Sequence, residues 1–268
     1  MTKEVLDRII NSSSSDRRKF MKHVGVTGIG VAAATMLGGS LEKLQAAVTI
    51  TDTDILNFAL NLEYLEGEFY SMATFGATLV QLGIISESDT TGPTTGGKLV
   101  NFNGSPLAFL ATSLRIDEQT HVVLLRKTLG SAAVKKPTIN LDALGYGFES
   151  IDDFLKLGRQ FEDVGVSAYL GAAPLIKSTT YLSAAAAIMA TEAQHSGSVR
   201  LECIQNGVIS PAVDSLDIPP TQQNPYDVDK NALTIPRSTG QVLKIVYAGG
   251  RCSGGFYPNG MNGTIKCQ

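Results

Sequence analysis

Glu118-Gln119-Thr120-His121 and Glu192-Ala193-Gln194-His195 are the two strings that decide how this chain folds. Each lies in an uninterrupted helix-compatible stretch, and residues three apart on an α-helix share a face about 5 Å from each other. A carboxylate and an imidazole are thus aimed at one point, twice. Only 3 histidines occur in the 268 residues, and the third, His23, lies near the N-terminus. Ahead of each string is a stretch without histidine that carries a second repeated pattern. Glu63 and Tyr70 are seven apart, as are Glu162 and Tyr169. The order Glu-x6-Tyr, then Glu-x-x-His, appears in both halves, which marks a pseudo-twofold duplication.

The helical limits are written in the punctuation around these motifs. The first helix is expected from about Asp54 to Phe75, after capping candidates at Thr51 to Asp54, with Ile55, Ala59, Leu62, Phe69 and Ala73 on one face. The second opens at Ser105-Pro106 and closes at Gly130 behind Arg126 and Lys127. The third starts at Ser150-Ile151-Asp152-Asp153 and runs to about Ala173, before Pro174; the fourth runs from about Thr180 to Asn206 and stops at Gly207. Each is long enough to span about 30 Å. The connection between the second and third can cross that length, so a long crossover is expected. Ser86 to Gly104, rich in Thr and Gly, reads as a surface loop. Between Val208 and Gln241, five prolines (Pro211, Pro219, Pro220, Pro225 and Pro236) rule out a long helix, and a short strand is expected at Gln241 to Tyr247. The prediction is an all-α fold, a four-helix bundle over residues 52–207 with an irregular C-terminal extension over 208–268.

Four glutamates and two histidines facing one centre form an oxygen-rich donor set. Four ionised carboxylates buried together would each cost several kcal/mol, roughly, or be forced to protonate. Two divalent cations would neutralise them. Such a set suits iron or manganese, and the chain's 3 cysteines form no cluster for a thiolate zinc or iron–sulfur site. The formal net charge of −3 and the lack of a basic patch beyond the leader argue against a nucleic-acid partner. Cys252 and Cys267, fifteen residues apart in a Gly/Asn-rich tail, are placed to permit a disulfide; Cys203 is expected to be a buried free thiol.

With these motifs in place, the chain resembles the ferritin-like superfamily, and within it an exported branch related to desiccation-related proteins. Asn57-Phe58-Ala59-Leu60-Asn61-Leu62-Glu63-Tyr64-Leu65-Glu66 is similar to that branch's first-helix motif, and Gly254-Gly255-Phe256-Tyr257-Pro258-Asn259-Gly260 to its C-terminal signature. The resemblance implies a ferritin-like four-helix bundle holding two iron or manganese ions. Its ligands would be Glu63, Glu118, His121, Glu162, Glu192 and His195. Glu66, Tyr70 and Tyr169 would flank them, with Glu66 either a second ligand beside Glu63 or a residue of that flanking shell. No Cys-x-x-Cys pair is present to form a rubredoxin-like module. Three functions are compatible: an oxidoreductase acting on dioxygen or peroxide, a stress-protective metal-binding bundle, and an iron store, which would need a homo-oligomer.

Ser15-Asp16-Arg17-Arg18-Lys19-Phe20-Met21-Lys22 resembles a twin-arginine export signal, and Val24 to Gly38 follows as an apolar run too short to span a membrane. Residues 1–47 are read as that signal, with cleavage near Ala46 and Ala47. The twin-arginine translocase is the implied partner, and the periplasm or the cell exterior the implied location.

Overall fold

Thr51 opens the first helix by a reciprocal pair of hydrogen bonds: its hydroxyl accepts from the backbone of Asp54, whose carboxylate accepts from the backbone N–H of Thr51. The computed structural model describes residues 49–268, so the expectations for the leader lie outside the described residues. Helix α1 spans Asp52–Phe75 and ends on Gly76, whose left-handed φ of 70° suits a residue without a Cβ. It is buried on every side from Ile55 to Ser71, the burial expected of a helix at the centre of a bundle.

Helices α2 (Leu107–Leu129), α3 (Ile151–Ala172) and α4 (Thr179–Gln205) match the predicted stretches within two residues. Ser150 caps α3 and Ser178 caps α4 through their hydroxyls. At α2 the cap is Pro106, one residue later than expected, while the Ser105 hydroxyl accepts from Leu107 N–H. The long loop ahead of α2 is less plain than expected. It contains a 3₁₀ turn at Glu87–Asp89 and a two-residue strand β1 (Thr94–Thr95), which pairs in parallel with β2 (Ile139–Asn140). This tie fastens the two long connections to each other.

Side-chain bonds fix the directions of the helices. Tyr64 meets Arg126 and Ser71 meets Gln119, so α1 and α2 are antiparallel. Leu155 meets Cys203 and Asp163 meets Ser196, so α3 and α4 are antiparallel too. Tyr70 meets Glu162 and Tyr169 meets Glu63, which makes α1 antiparallel to α3. Helices α2 and α3 therefore run in the same direction, and the chain between them must return along the bundle as the predicted crossover. No helix among the described residues is long and apolar enough to cross a membrane.

The tail corrects one expectation. Residues predicted as a strand at Gln241 to Tyr247 form helix α5, Thr239–Val246. Val242, Ile245 and Val246 are β-branched and suggested a strand, but Ser238 and Gln241 make a capping box, and Val242, Leu243 and Val246 fall on one buried face. The remainder of the tail is irregular. Arginines hold it to the bundle. Arg159 of α3 bonds both carboxylate oxygens of Asp217 at 2.7 Å, and Arg200 of α4 bonds the carbonyls of Pro225 and Ile218. The tail crosses α3 so closely that a Cβ on Gly171 would lie 1.9 Å from the carbonyl oxygen of Arg237. The first-helix and C-terminal motifs meet here, with Tyr257 donating to the carbonyl of Asn61 at 2.7 Å. Cys252 and Cys267 form a disulfide, and Cys203 is a buried free thiol.

Candidate metal centre

The six predicted residues converge in the bundle interior, each from the helix that carries it. Glu63, Glu118, Glu162 and Glu192 have no exposed surface, and His121 and His195 are nearly buried. They form two overlapping groups whose facing atoms lie within 4.8 Å of one another: Glu63, Glu118, His121 and Glu192, and then Glu118, Glu162, Glu192 and His195. Glu118 and Glu192 belong to both. The imidazole rings are 6.1 Å apart between centroids.

The donor atoms are spaced as a ligand set would be rather than as a satisfied hydrogen-bonded cluster. Nδ1 of His121 has three carboxylate oxygens around it, from Glu192 at 3.1 Å, Glu63 at 3.2 Å and Glu118 at 3.3 Å, although it can satisfy only one. Nδ1 of His195 lies 2.9 Å from a Glu118 oxygen, yet neither atom has a hydrogen-bond partner. One oxygen each of Glu63 and Glu162 and both oxygens of Glu192 are also buried without a partner among the described residues. Orphaned buried acceptors are rare in folded proteins because each costs a lost solvation shell. A cation bound at about 2.0–2.2 Å to oxygen and nitrogen donors sets neighbouring donors about 3 Å apart, which is the spacing seen here. The residues fit a pair of cations.

Without cations, the electrostatics are strained in the expected sense. Burial pushes the carboxyl of Glu118 up to about 7, and burial with the charge of Glu118 holds Glu192 well above the usual range. Burial works against a charged ring at His195, but Glu118 and Glu162 outweigh it and raise the ring to about 12.

Around this core, Tyr70 donates to Glu162 and Tyr169 to Glu63, each phenol crossing the pseudo-dyad to the other half. Burial, then the neighbouring carboxylate, raises both phenols well above their ordinary value, so they remain donors. Glu66 is buried beside Glu192 but belongs to neither donor group. Glu68, the other glutamate of α1, is engaged elsewhere by Lys136 and the backbone of Leu79.

Sequence reasoning missed Asp117. Its carboxylate sits 3.1 Å from Nε2 of His195, a contact that would hold a proton on Nε2 and leave Nδ1 to ligate a bound cation. The duplication concealed it, because the matching residue in the other half is Thr191. Asp117→Asn should lower affinity for metal about 10- to 100-fold, measured by chelator competition at unchanged helix content. Also missed was a third acidic group, Asp163, Asp217 and Asp227. Arg159 and Arg200 supply its positive charge, so it serves the tail attachment.

A family model described as a ferritin-like domain matches residues 51–204. The chain is also 24% identical, over 269 residues covering 80% of it and 84% of the other protein, to the ferritin-like catalase Nec2 of Nesocodon mauritianus. The family match takes in more than half the chain and all four helices that deliver the buried Glu/His clusters, and on that ground the chain belongs to the ferritin-like family.

Proposed function

We propose that this chain is an exported dinuclear-metal oxidoreductase that removes hydrogen peroxide by disproportionation. The observation that carries this is the sharing of Glu118 and Glu192 between the two donor groups, which would hold two cations side by side. Glu63 and His121 would complete one position, Glu162 and His195 the other. A bound pair of iron or manganese ions would supply two-electron redox chemistry, one electron from each ion. Tyr70 and Tyr169 hold the terminal carboxylates in place, and Asp117 fixes the tautomer of His195. The buried walls keep bulk water away from the pair.

Disproportionation, in which two peroxide molecules give two waters and one dioxygen, needs no outside electron donor. That suits a chain whose 3 cysteines are a disulfide and one buried thiol, leaving no rubredoxin-type iron site to relay electrons. The name of the Nec2 relative, a ferritin-like catalase, supports the same choice. Ser15 to Lys22 and the apolar run behind it support passage through the twin-arginine translocase to the periplasm or beyond, a route suited to a protein metallated before export. Protein purified from its own host should contain about two iron or manganese ions per chain and evolve one dioxygen per two peroxides. Full metal occupancy without peroxide or dioxygen chemistry would overturn the proposal.

The metal-free protein gives a second test, with a definite sign. Glu118 at about 7 and Glu192 lie above the ordinary 4.5, and His195 at about 12 lies above 6.5. The folded apoprotein thus binds more protons than the unfolded chain, and its stability must fall as pH rises. The Glu118 penalty grows above its ordinary value and is complete beyond about 7. The His195 contribution is whole below 6.5 and declines towards about 12. Chelated protein should lose Tm between about pH 5 and about pH 8 while metal-loaded protein changes little. A chelated form that gains Tm across that interval would contradict the buried cluster.

A further inference from the structure

Between the tail and α3 lies a chamber of about 730 Å³, walled in part by Tyr146, Gln160, Pro211, Leu216, Lys244 and Phe256. Its size is that of a small-molecule pocket. Hydrogen bonds brace the wall: Tyr146 donates to Gln160 at 2.9 Å, and Gln160 to the carbonyl of Pro211 at 2.8 Å. Phe161, Val164 and Val246 also line this chamber, and the same three residues line a second void of about 10 Å³, room for about one water. Beyond them, the small void is bounded by Leu62 and Leu65, and also by Glu66 and Gly165.

Those two residues connect the void to the metal centre. A Cβ on Gly165 would lie 3.0 Å from an oxygen of Glu192 and 3.1 Å from one of Glu66. Glu66 is 4% exposed and has no hydrogen-bond donor among the described residues, although it lines the void. The duplication makes the pair informative. Glu63 corresponds to Glu162, so Glu66 corresponds to Gly165. Where strict symmetry would place two carboxylates, one half has a carboxylate and the other has no side chain. This asymmetry opens space next to a shared ligand.

We propose that this chamber is the route by which small uncharged oxidants reach the metal centre, with Phe161, Val164 and Val246 as its neck and Glu66 as the first polar group inside. The inference rests on the metal-centre proposal and adds a substrate class: hydrogen peroxide passes the neck, while alkyl hydroperoxides enter the chamber and stop there.

Val246 is the residue to change, because α5 contributes no donor to either cation group. Wild type, Val246→Phe and Val246→Ala would be loaded with manganese and their metal content and Tm recorded. Access of water to the metal would be followed by water-proton relaxation, and consumption of hydrogen peroxide and tert-butyl hydroperoxide by kcat/KM. Val246→Phe should slow water exchange and peroxide consumption about tenfold at unchanged metal content, and Val246→Ala should raise the tert-butyl to hydrogen peroxide ratio about tenfold. Folded, fully metallated Val246→Ala with exchange and ratio both unchanged overturns the route, even if Val246→Phe does not fold. A wild type that binds no metal overturns the metal centre and the route together. Metal binding with neck-dependent water exchange but no peroxide consumption overturns the oxidoreductase proposal and supports the route.

Discussion

Glu118→Ala and Glu192→Ala should each empty both metal positions, whereas Glu63→Ala or Glu162→Ala should leave one occupied. The difference follows from membership of the two donor groups: Glu118 and Glu192 serve both, and Glu63 and Glu162 serve one each. Metal per chain, measured by elemental analysis after gel filtration, should fall from about two towards zero for the shared glutamates and to about one for the others. Peroxide consumption should drop to background in all four, because the proposed reaction draws an electron from each ion. Glu118→Gln keeps the volume and removes the charge, which separates loss of a ligand from loss of packing. If Glu118→Ala retained one tightly held ion, the shared arrangement would be wrong.

The second large effect concerns stability. Arg200 is 1% exposed and bonds the Asp163 carboxylate at 2.6 Å as well as two tail carbonyls at 2.8 Å. Arg200→Ala leaves Asp163 buried with only the longer contact from Arg159, at 3.4 Å, and Ser196, and leaves the Pro225 and Ile218 carbonyls without this partner. Breaking one side of a buried ion pair costs about 3–5 kcal/mol. At roughly 2–4 °C per kcal/mol for a domain of this size, Tm should fall by roughly 6–20 °C. Thermal unfolding of metal-loaded protein would measure it. Arg200→Met, which restores apolar volume without the charge, should not recover the loss while Asp163 remains; the double variant with Asp163→Leu should recover part of it.

The bundle and its buried Glu/His clusters were legible because two local signals agreed. Glu-x-x-His needs only helical spacing to aim both side chains at one point, and its second occurrence supplied a register that also found Glu63, Glu162 and the two tyrosines. Ser150 and Gly130 marked helix ends by their own backbone chemistry. Features without a repeat or a local code were not legible. Asp117 acts through a helix 78 residues away in sequence and has no counterpart in the other half. Arg159 and Arg200 look like surface charges until the tail covers them. Helix α5 was misread because its β-branched residues outweighed the Ser238 and Gln241 cap, and only packing on the bundle decides between the two.

The buried thiol of Cys203 bears on how such a protein would age. Burial pushes that thiol up to about 12 and the S–H points at the carbonyl of Leu155, so the nucleophilic thiolate is scarcely populated at neutral pH. The other two cysteines are already joined, and the chain has no tryptophan. A catalyst bathed in its own oxidising substrate is ordinarily inactivated by damage to such side chains. Here the thiol chemistry is withheld from solvent, so wear of the polypeptide in such a catalyst would fall on the partly exposed Met72 and Met189 rather than on cysteine.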